Sequence, residues 1–283
     1  MDCRVQSDAP LHFPEVYMNQ IYDNFLQVSH IGKSFNTKKC SLEILRDIHF
    51  SVKEKEFVCI MGPSGCGKST LAGIIEGIEH SDTGSIFLGG GKKPERATKQ
   101  IQKKIGIVFQ QSNLLEWKTT YKNVELPLSV FHMGNGIDRK RAVSGALELV
   151  GLLEFKDCWP HELSGGMQQR AAIARALVTN PDFLVLDQPF GALDAITRKM
   201  LNVELLRIWY QTQKTCIMIT NNVNEALYLS SRIIFMSQSP SSIVKEVKVP
   251  FTYEEKAAGI DLNPEYLRLR SELNRFVRSS NKL

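Results

Sequence analysis

The sequence predicts an α/β fold in which a mostly parallel sheet is covered by helices on both faces, with an antiparallel β subdomain ahead of it and a helical insert within it. Three observations carry the prediction. Strand-length apolar runs alternate with stretches of helical periodicity along most of the chain. One such run, at 57–61, stops at Gly62 and gives way to a glycine-rich turn that opens a helix. Another, at 183–186, ends in a carboxylate, Asp187.

Taken in order, residues 1–24, with Pro10 and Pro14, read as a loosely ordered N-terminal extension. From residue 25 three β-type runs, FLQVSHIGKSF, EILRDIHFSV and EFVCIMG, suggest an antiparallel sheet feeding the glycine turn. Residues 69–78 follow as a helix, 84–88 as a strand, and Gly89, Gly90 and Gly91 as a turn. The stretch 92–104 carries six basic residues against Glu95 alone and reads as a solvated helix face in preference to a phosphate-binding patch. Residues 105–109 form a buried strand candidate that ends at Gln110. The character then changes. Helical periodicity at 138–150, through Ala142, Ala146, Leu149 and Val150, lies among polar turns, so about 113–170 reads as a helical insert. A helix at 165–178, the strand at 183–186, a helix at 196–209, a strand at 215–219 and an edge strand at 231–235 complete the alternation. One domain is expected over 25–245. Residues 246–283 are expected as a tail whose amphipathic end sets Leu267, Leu269 and Leu273 among Arg268, Arg270 and Arg275, which is also what a packed terminal helix looks like.

Composition narrows the function. A chain of 283 residues suits one large α/β domain or two small ones. Its 35 basic and 30 acidic side chains give +5, too modest a balance to argue for nucleic acid as a partner. The six cysteines are scattered with no C-x-x-C pair, which fits neither a zinc ribbon nor a disulfide framework and suits a reducing cytosol. Residues 1–24 lack a secretory apolar core, and no run of about eighteen apolar residues exists to cross a bilayer. Any membrane connection is expected through a partner.

The chemistry starts at the glycine turn. Gly62, Pro63, Ser64, Gly65, Cys66, Gly67, Lys68 and Ser69, followed by Thr70, fit G-x-x-x-x-G-K-[ST]. Glycines let successive backbone N–H groups curl round phosphate oxygens, and the following helix points its positive end at them. Lys68 neutralises the outer phosphates and the Ser69 hydroxyl holds Mg²⁺. A bare glycine turn is the bland alternative, and the Lys-Ser pair after a strand argues against it. Asp187 at a strand end faces the same crevice and holds Mg²⁺ through water; alone it would be read as a turn cap. Together they predict a phosphate-loop core for a nucleoside triphosphate.

Leu163, Ser164, Gly165, Gly166, Met167, Gln168, Gln169 and Arg170, preceded by Trp159, Pro160, His161 and Glu162, closely resemble the signature of the ATP-binding cassette (ABC) ATPases. A Ser and two glycines at a helix start make a second anion site, although an ordinary N-capped helix needs no more than Ser164. The resemblance implies that ATP is the nucleotide and Mg²⁺ the metal. It further implies that the signature caps the γ-phosphate held by a second ABC ATPase chain, in a head-to-tail dimer with two nucleotides at the interface. It places Phe35 where the family stacks an aromatic on adenine, with a core Phe in a strand as the rival. Gln110 falls where a Gln senses Mg²⁺ and the attacking water. Leu114, Leu115, Glu116 and Trp117 resemble the segment that touches the membrane subunit, and Gly191, Ala192, Leu193 and Asp194 the loop that crosses to the partner's site. The match covers roughly 25–237. Residues 187–197 and the tail at 263–276 look most like the importer ATPases for nitrate, sulfonate, taurine and bicarbonate. That implies multi-spanning permease subunits, indirectly a solute-binding protein, no nucleic acid, and a peripheral position on the cytoplasmic face of the cell membrane. Cys66 lies in the loop, so thiol alkylation is expected to block nucleotide binding and ATP to protect.

Two positions depart from the family. Gln188 stands where a Glu polarises water, and an amide accepts no proton, so a general-base contribution of about 10² to 10⁴ in rate is lost. Asn221 stands in Thr220-Asn221-Asn222 where the family has Thr-His-Asp, and it is shorter and uncharged. A Gln at 188 alone is also what an ATP-trapping substitution looks like; the second departure favours a natural specialisation. In heteromeric pairs this resembles a division in which one chain keeps its signature and serves the competent site of the other, so the chain is expected to pair with a different ATPase chain or, paired with itself, to turn over very slowly. Two other classes stand beside the importer. A soluble cassette ATPase of translation or repair is disfavoured by the single loop and signature and by the lack of sustained heptads, and a regulatory ATP sensor gains from Gln188 and Asn221.

Overall fold

In the computed structural model, which describes residues 24–36, 40–89, 95–96 and 104–280, the strands sort into two sheets by the patterning of their side chains. β1 (Leu26–Asn36) and β2 (Ser41–Val52) mix buried with exposed positions and pair antiparallel, from Leu26 opposite Val52 to Asn36 opposite Ser41. β4 (Thr83–Leu88) lies on the other side of β1, and the two-residue β5 (Glu95–Arg96) completes a sheet of order β2-β1-β4-β5. The third run expected in this sheet belongs elsewhere. β3 (Phe57–Met61) is buried at all five positions, the mark of a strand covered on both faces, and it enters the second sheet.

That second sheet runs β10-β9-β3-β8-β7-β6, where β6 is Ile105–Val108, β7 Phe183–Asp187, β8 Thr215–Ile219, β9 Arg232–Met236 and β10 Ile243–Lys248. Its inner pairings are parallel, and β10 pairs antiparallel with β9. The expectation of an edge strand at 231–235 is corrected here: β9 is interior, and the edge is β10, whose side chains alternate between half-buried and exposed. The boundary expected at 245 falls inside β10. The basic stretch before β6 and the N-terminal extension lie outside the described residues, apart from Asn24, the backbone of Glu95–Arg96 and Lys104.

Strand period divides the core in two. Val58, Ile60, Val185, Ile217, Ile219 and Ile234 face α1 (Lys68–Ile75) and the antiparallel sheet. Phe57, Cys59, Met61, Leu184, Leu186, Met218 and Phe235 face the other helices. Among those, α2 (Thr120–Val130), α3 (Gly136–Leu149) and α4 (Gly165–Leu177) form the insert and bury Val124, Leu128, Val143, Leu147, Ala171 and Ala174 together. Each starts on a side-chain cap: Thr119, Asn135 and Ser164. The sequence did not show α2, because Pro127 inside it reads as a helix breaker.

α5 (Ala195–Thr212), α6 (Val223–Leu229) and α7 (Tyr253–Ala257) follow, and the chain ends in α8 (Pro264–Ser280). This last helix is packed: Tyr266 and Leu273 are buried and Phe276 meets Phe235 edge-on at 5.0 Å. Because β3, β6, β7 and β8 are parallel, Gly62, Phe109, Gln188 and Thr220 all leave the sheet at the same edge. The site is built there.

Candidate functional site

The phosphate loop joins β3 to α1 under tight packing. A Cβ at Gly67 would lie 2.5 Å from Ile44 Cγ2, and its φ of +95° is a left-handed conformation that favours glycine. At Gly62 a Cβ would meet Cys66 Sγ at 2.8 Å. Lys68 is buried, and its Nζ donates to the carbonyls of Gly62 at 2.8 Å and Pro63 at 2.7 Å, with burial holding the ammonium below the usual lysine range. The positive charge is therefore fixed inside the loop. Cys66 is buried: it is only 1% exposed, its Sγ is 3.8 Å from Lys68 Nζ, and its carbonyl accepts from the Ser241 hydroxyl. Reaction requires the loop to open, so a mass-spectrometric time course with iodoacetamide is expected to label exposed Cys40 well before Cys66.

Asp187 closes β7 over the loop. Burial raises its pKa, opposed by a hydrogen bond with Ser69 and the charge of Lys68, and its buried Oδ1 has no hydrogen-bond partner among the described residues. A hydroxyl beside a carboxylate with an unused oxygen is a hard oxygen donor set that fits Mg²⁺. One residue on, Gln188 has a left-handed φ of 46° and its N–H donates to Ile219 O at 2.9 Å, which fixes where the side chain points. Asn221 Nδ2 donates to Gln188 Oε1 at 3.4 Å, so the two departures from the family meet in one cleft, shared with Arg198 and Glu225. Gln110 lies across from them: a Cβ on Gly191 would be 3.3 Å from its Nε2.

The crossing loop and the signature, separate in the sequence, are packed together. Asp194 caps α5 by accepting from the Ile196 and Thr197 amides, both at 3.0 Å, and the Thr197 hydroxyl and these amides hold its carboxyl below the usual range. Arg198 ties the loop from behind, donating to Phe190 O at 3.2 Å and Leu193 O at 2.7 Å. A Cβ on Gly165 would meet Leu193 at 3.2 Å and one on Gly166 Thr197 at 3.0 Å, so both glycines let the signature helix close on the loop. Ser164 and Gly165 are exposed, and Ser164 Oγ accepts from the Met167 amide at 3.3 Å. Leu163 is buried, Met167 packs on the core, and Gln168 turns inward, its Nε2 donating to Pro160 O at 2.9 Å. Only the start of this helix is offered outward.

Phe35 is 40% exposed near the end of β1, with Lys33 Nζ 5.2 Å from its ring, so it is not a core side chain. Three residues have roles that the sequence reading did not assign. Gln169 is buried and donates to Phe109 O at 3.0 Å, which positions the strand end before Gln110. Arg198 is the second. Glu76, just past α1, is 4% exposed, has an Oε1 with no partner among the described residues, and is pushed up to about 7 by burial and by the charge of Asp187. A carboxylate inside the apolar run IIEGI was the available signal for it.

Comparison with known proteins agrees with this geometry. The sequence model of the ABC transporter family matches residues 45–191. The chain is 38% identical over 256 residues to the nitrate import ATP-binding protein NrtD of Synechococcus elongatus, covering 89% of this chain and 91% of that one. It is 42% identical over 230 residues to the aliphatic sulfonates import ATP-binding protein SsuB of Bacillus cereus, covering 80% and 87%. Its fold matches the dimeric, post-hydrolysis structure of the ATP-binding cassette MJ0796 bound to ADP and Pi, with a TM-score of 0.70 and 32% identity over 80% of this chain and all of that one. On this similarity the chain belongs to the ABC transporter family, as an α/β protein whose relatives include the ATP-binding subunits of importers.

Proposed function

We propose that this chain is the energy-coupling subunit of an importer for a small anion such as nitrate, sulfonate, taurine or bicarbonate, and that it binds Mg·ATP without turning it over rapidly at its own site. The observation that carries the second half is the pair of amides, Asn221 Nδ2 on Gln188 Oε1, at the strand ends beside Asp187. Neither amide accepts a proton near neutral pH, and neither supplies the charge of an imidazolium. Gly62 to Thr70 would grip the triphosphate and Phe35 would stack on the adenine; Ser69, Asp187 and Gln110 would hold Mg²⁺, which when bound would supply charge neutralisation at the phosphate oxygens.

The exposed Ser164 and Gly165 suit a second role, capping the γ-phosphate on the loop of another ABC ATPase chain, preferably a different one that keeps a competent base. Two nucleotides between opposed loops and signatures close the pair. Differential affinity for the closed state then drives the attached permease, and hydrolysis resets it. Glu116 and Trp117, the latter 72% exposed, form part of the face for the permease, while Leu114 is buried in the core beneath them, and a solute-binding protein acts through that permease. No helix among the described residues is long and apolar enough to cross a membrane, which agrees with a peripheral place on the cytoplasmic face.

Purification of the tagged chain from its native membranes tests the assignment. A stoichiometric assembly with a multi-spanning protein and a second ATPase chain is the expected result. Recovery of the chain alone, or with ribosomes or DNA, contradicts it in favour of a soluble cassette protein or an ATP sensor.

A further inference from the structure

We propose that the pocket between α5, α6 and the C-terminal tail binds a small organic anion, a carboxylate or sulfonate on an apolar body, and that its occupancy bears on the crossing loop. This goes beyond the importer assignment, and the binding itself does not depend on it.

The pocket, about 590 Å³, has the size of a small-molecule site. It is built by α5, α6, α7, the turn Ile260–Leu262 and the start of α8, and the chain from 195 to 270 is described without a break. Ile260, Ala257, Val203 and the rings of Tyr228 and Tyr266 give it apolar walls. Val203, Lys199 and Asp261 are exposed, so it opens to solvent. Its unused polar groups are donors. Tyr266 is only 2% exposed, and its hydroxyl makes no hydrogen bond among the described residues. Burial pushes that hydroxyl up to about 12, so it keeps its proton, and the charge of Arg270 acts on it from nearby. The Arg270 guanidinium has neither an ion pair nor a hydrogen bond among the described residues. Asn202 is 8% exposed, and its Oδ1 has no partner among the described residues. The other charges are committed. Lys256 Nζ donates to Ser230 O at 2.8 Å, and Asp261, the carboxylate in the lining, pairs with Lys199 at 2.6 Å.

An anionic head with several acceptor oxygens satisfies a guanidinium, a phenol and an amide turned to present its N–H together. A cation or a wholly apolar molecule leaves these donors unpaired in a space it has emptied of water. The walls add the second requirement, an apolar body behind the head. The pocket is also continuous with the nucleotide side of the chain. Arg198 and Asn222 line both it and the cleft of Gln188 and Asn221. Arg198 holds the crossing loop through Phe190 O and Leu193 O, and a negative charge brought into the pocket draws its guanidinium away from those carbonyls. Occupancy and the set of the crossing loop are thereby coupled.

The test is calorimetric titration of the full chain with benzenesulfonate and benzoate, with neutral benzenesulfonamide and inorganic sulfate as controls. Both aryl anions are expected to bind, and both controls at least about tenfold more weakly, the sulfonamide for want of charge and sulfate for want of a body. Tighter binding of benzenesulfonate assigns the site to sulfonates, and of benzoate to carboxylates. Arg270→Gln is expected to weaken the preferred anion by about tenfold or more, the loss of one charged hydrogen bond, and Arg270→Lys to recover most of it. Binding of neither aryl anion overturns the proposal. So does equal affinity for native chain and Arg270→Gln, or strictly competitive displacement by Mg·ATP, which puts the anion on the phosphate loop. With the pocket saturated, ATP affinity is expected to change by about fivefold or more, and ATP to change the anion's affinity by the same factor. Unchanged ATP affinity overturns the link to the crossing loop. All of this is read on the isolated chain, so failure here leaves the importer assignment standing, and recovery of the chain without a permease removes that assignment and leaves this site.

Discussion

Replacing Gln188 by glutamate raises steady-state ATP turnover of the purified chain by about 10² to 10⁴, the contribution of a positioned general base. The backbone is ready for it. The left-handed φ of 46° and the bond from the residue's N–H to Ile219 O aim the side chain into the cleft whichever group it ends in. A carboxylate at that point would keep the hydrogen bond from Asn221 Nδ2 and gain the ability to take a proton from water. Asn221→His added to Gln188→Glu is expected to exceed the single change, because an imidazole reaches further and can carry charge. Asn221→His alone is expected to add little, since the base is still missing. Phosphate release from the two single variants and the double variant decides this; a silent Gln188→Glu means that hydrolysis is limited elsewhere.

Lys68→Ala is expected to lower ATP affinity by about 30- to 4,000-fold, from the roughly 2–5 kcal/mol lost when one member of a buried charged pair is deleted. Two roles end together. The ammonium bridges the Gly62 and Pro63 carbonyls and so shapes the loop, and it is the positive charge at the loop's centre. Titration with a fluorescent ATP analogue reads the loss, and unchanged binding would remove Lys68 from the site. Lys68→Arg separates the roles: it keeps the charge but fits poorly inside a loop that buries the native side chain to 5% exposure.

How much of this was legible in the sequence depends on where each signal came from. The phosphate loop was legible because its spacing is dictated by backbone geometry, and β3 and β7 because a fully apolar run of five residues has few other uses. The same uniform burial was misapplied twice. β3 was grouped with β1 and β2 by nearness in sequence, and β9 was taken for an edge because the alternating strand beyond it, Ile243–Lys248, was not read as a strand and was split by the boundary at 245. α2 was missed because a helix can hold a proline when tertiary packing on Val124 and Leu128 supports it.

Long-range packing was beyond the sequence altogether. Ser164, Gly165 and Asp194 were each recognisable as motif members, yet nothing local says that Gly165 rests on Leu193 or that Arg198 ties the crossing loop. Cys66 is a related case. Its place in the glycine turn was visible, but the cover over it by Ser241, 175 residues away, is a property of the fold. Glu76 is the reverse case: its charge was visible, but its lack of a partner is a property of the fold.

The most direct measurement of the central claim is the identity of nucleotide held by the purified chain after incubation with excess Mg·ATP, read together with the rate of phosphate release. A loop that binds while its amide pair at Gln188 and Asn221 withholds the base predicts retained, intact ATP with only trace phosphate, and conversion to ADP once Gln188→Glu is introduced. Rapid, repeated conversion of ATP to ADP and phosphate by the chain as written would contradict it.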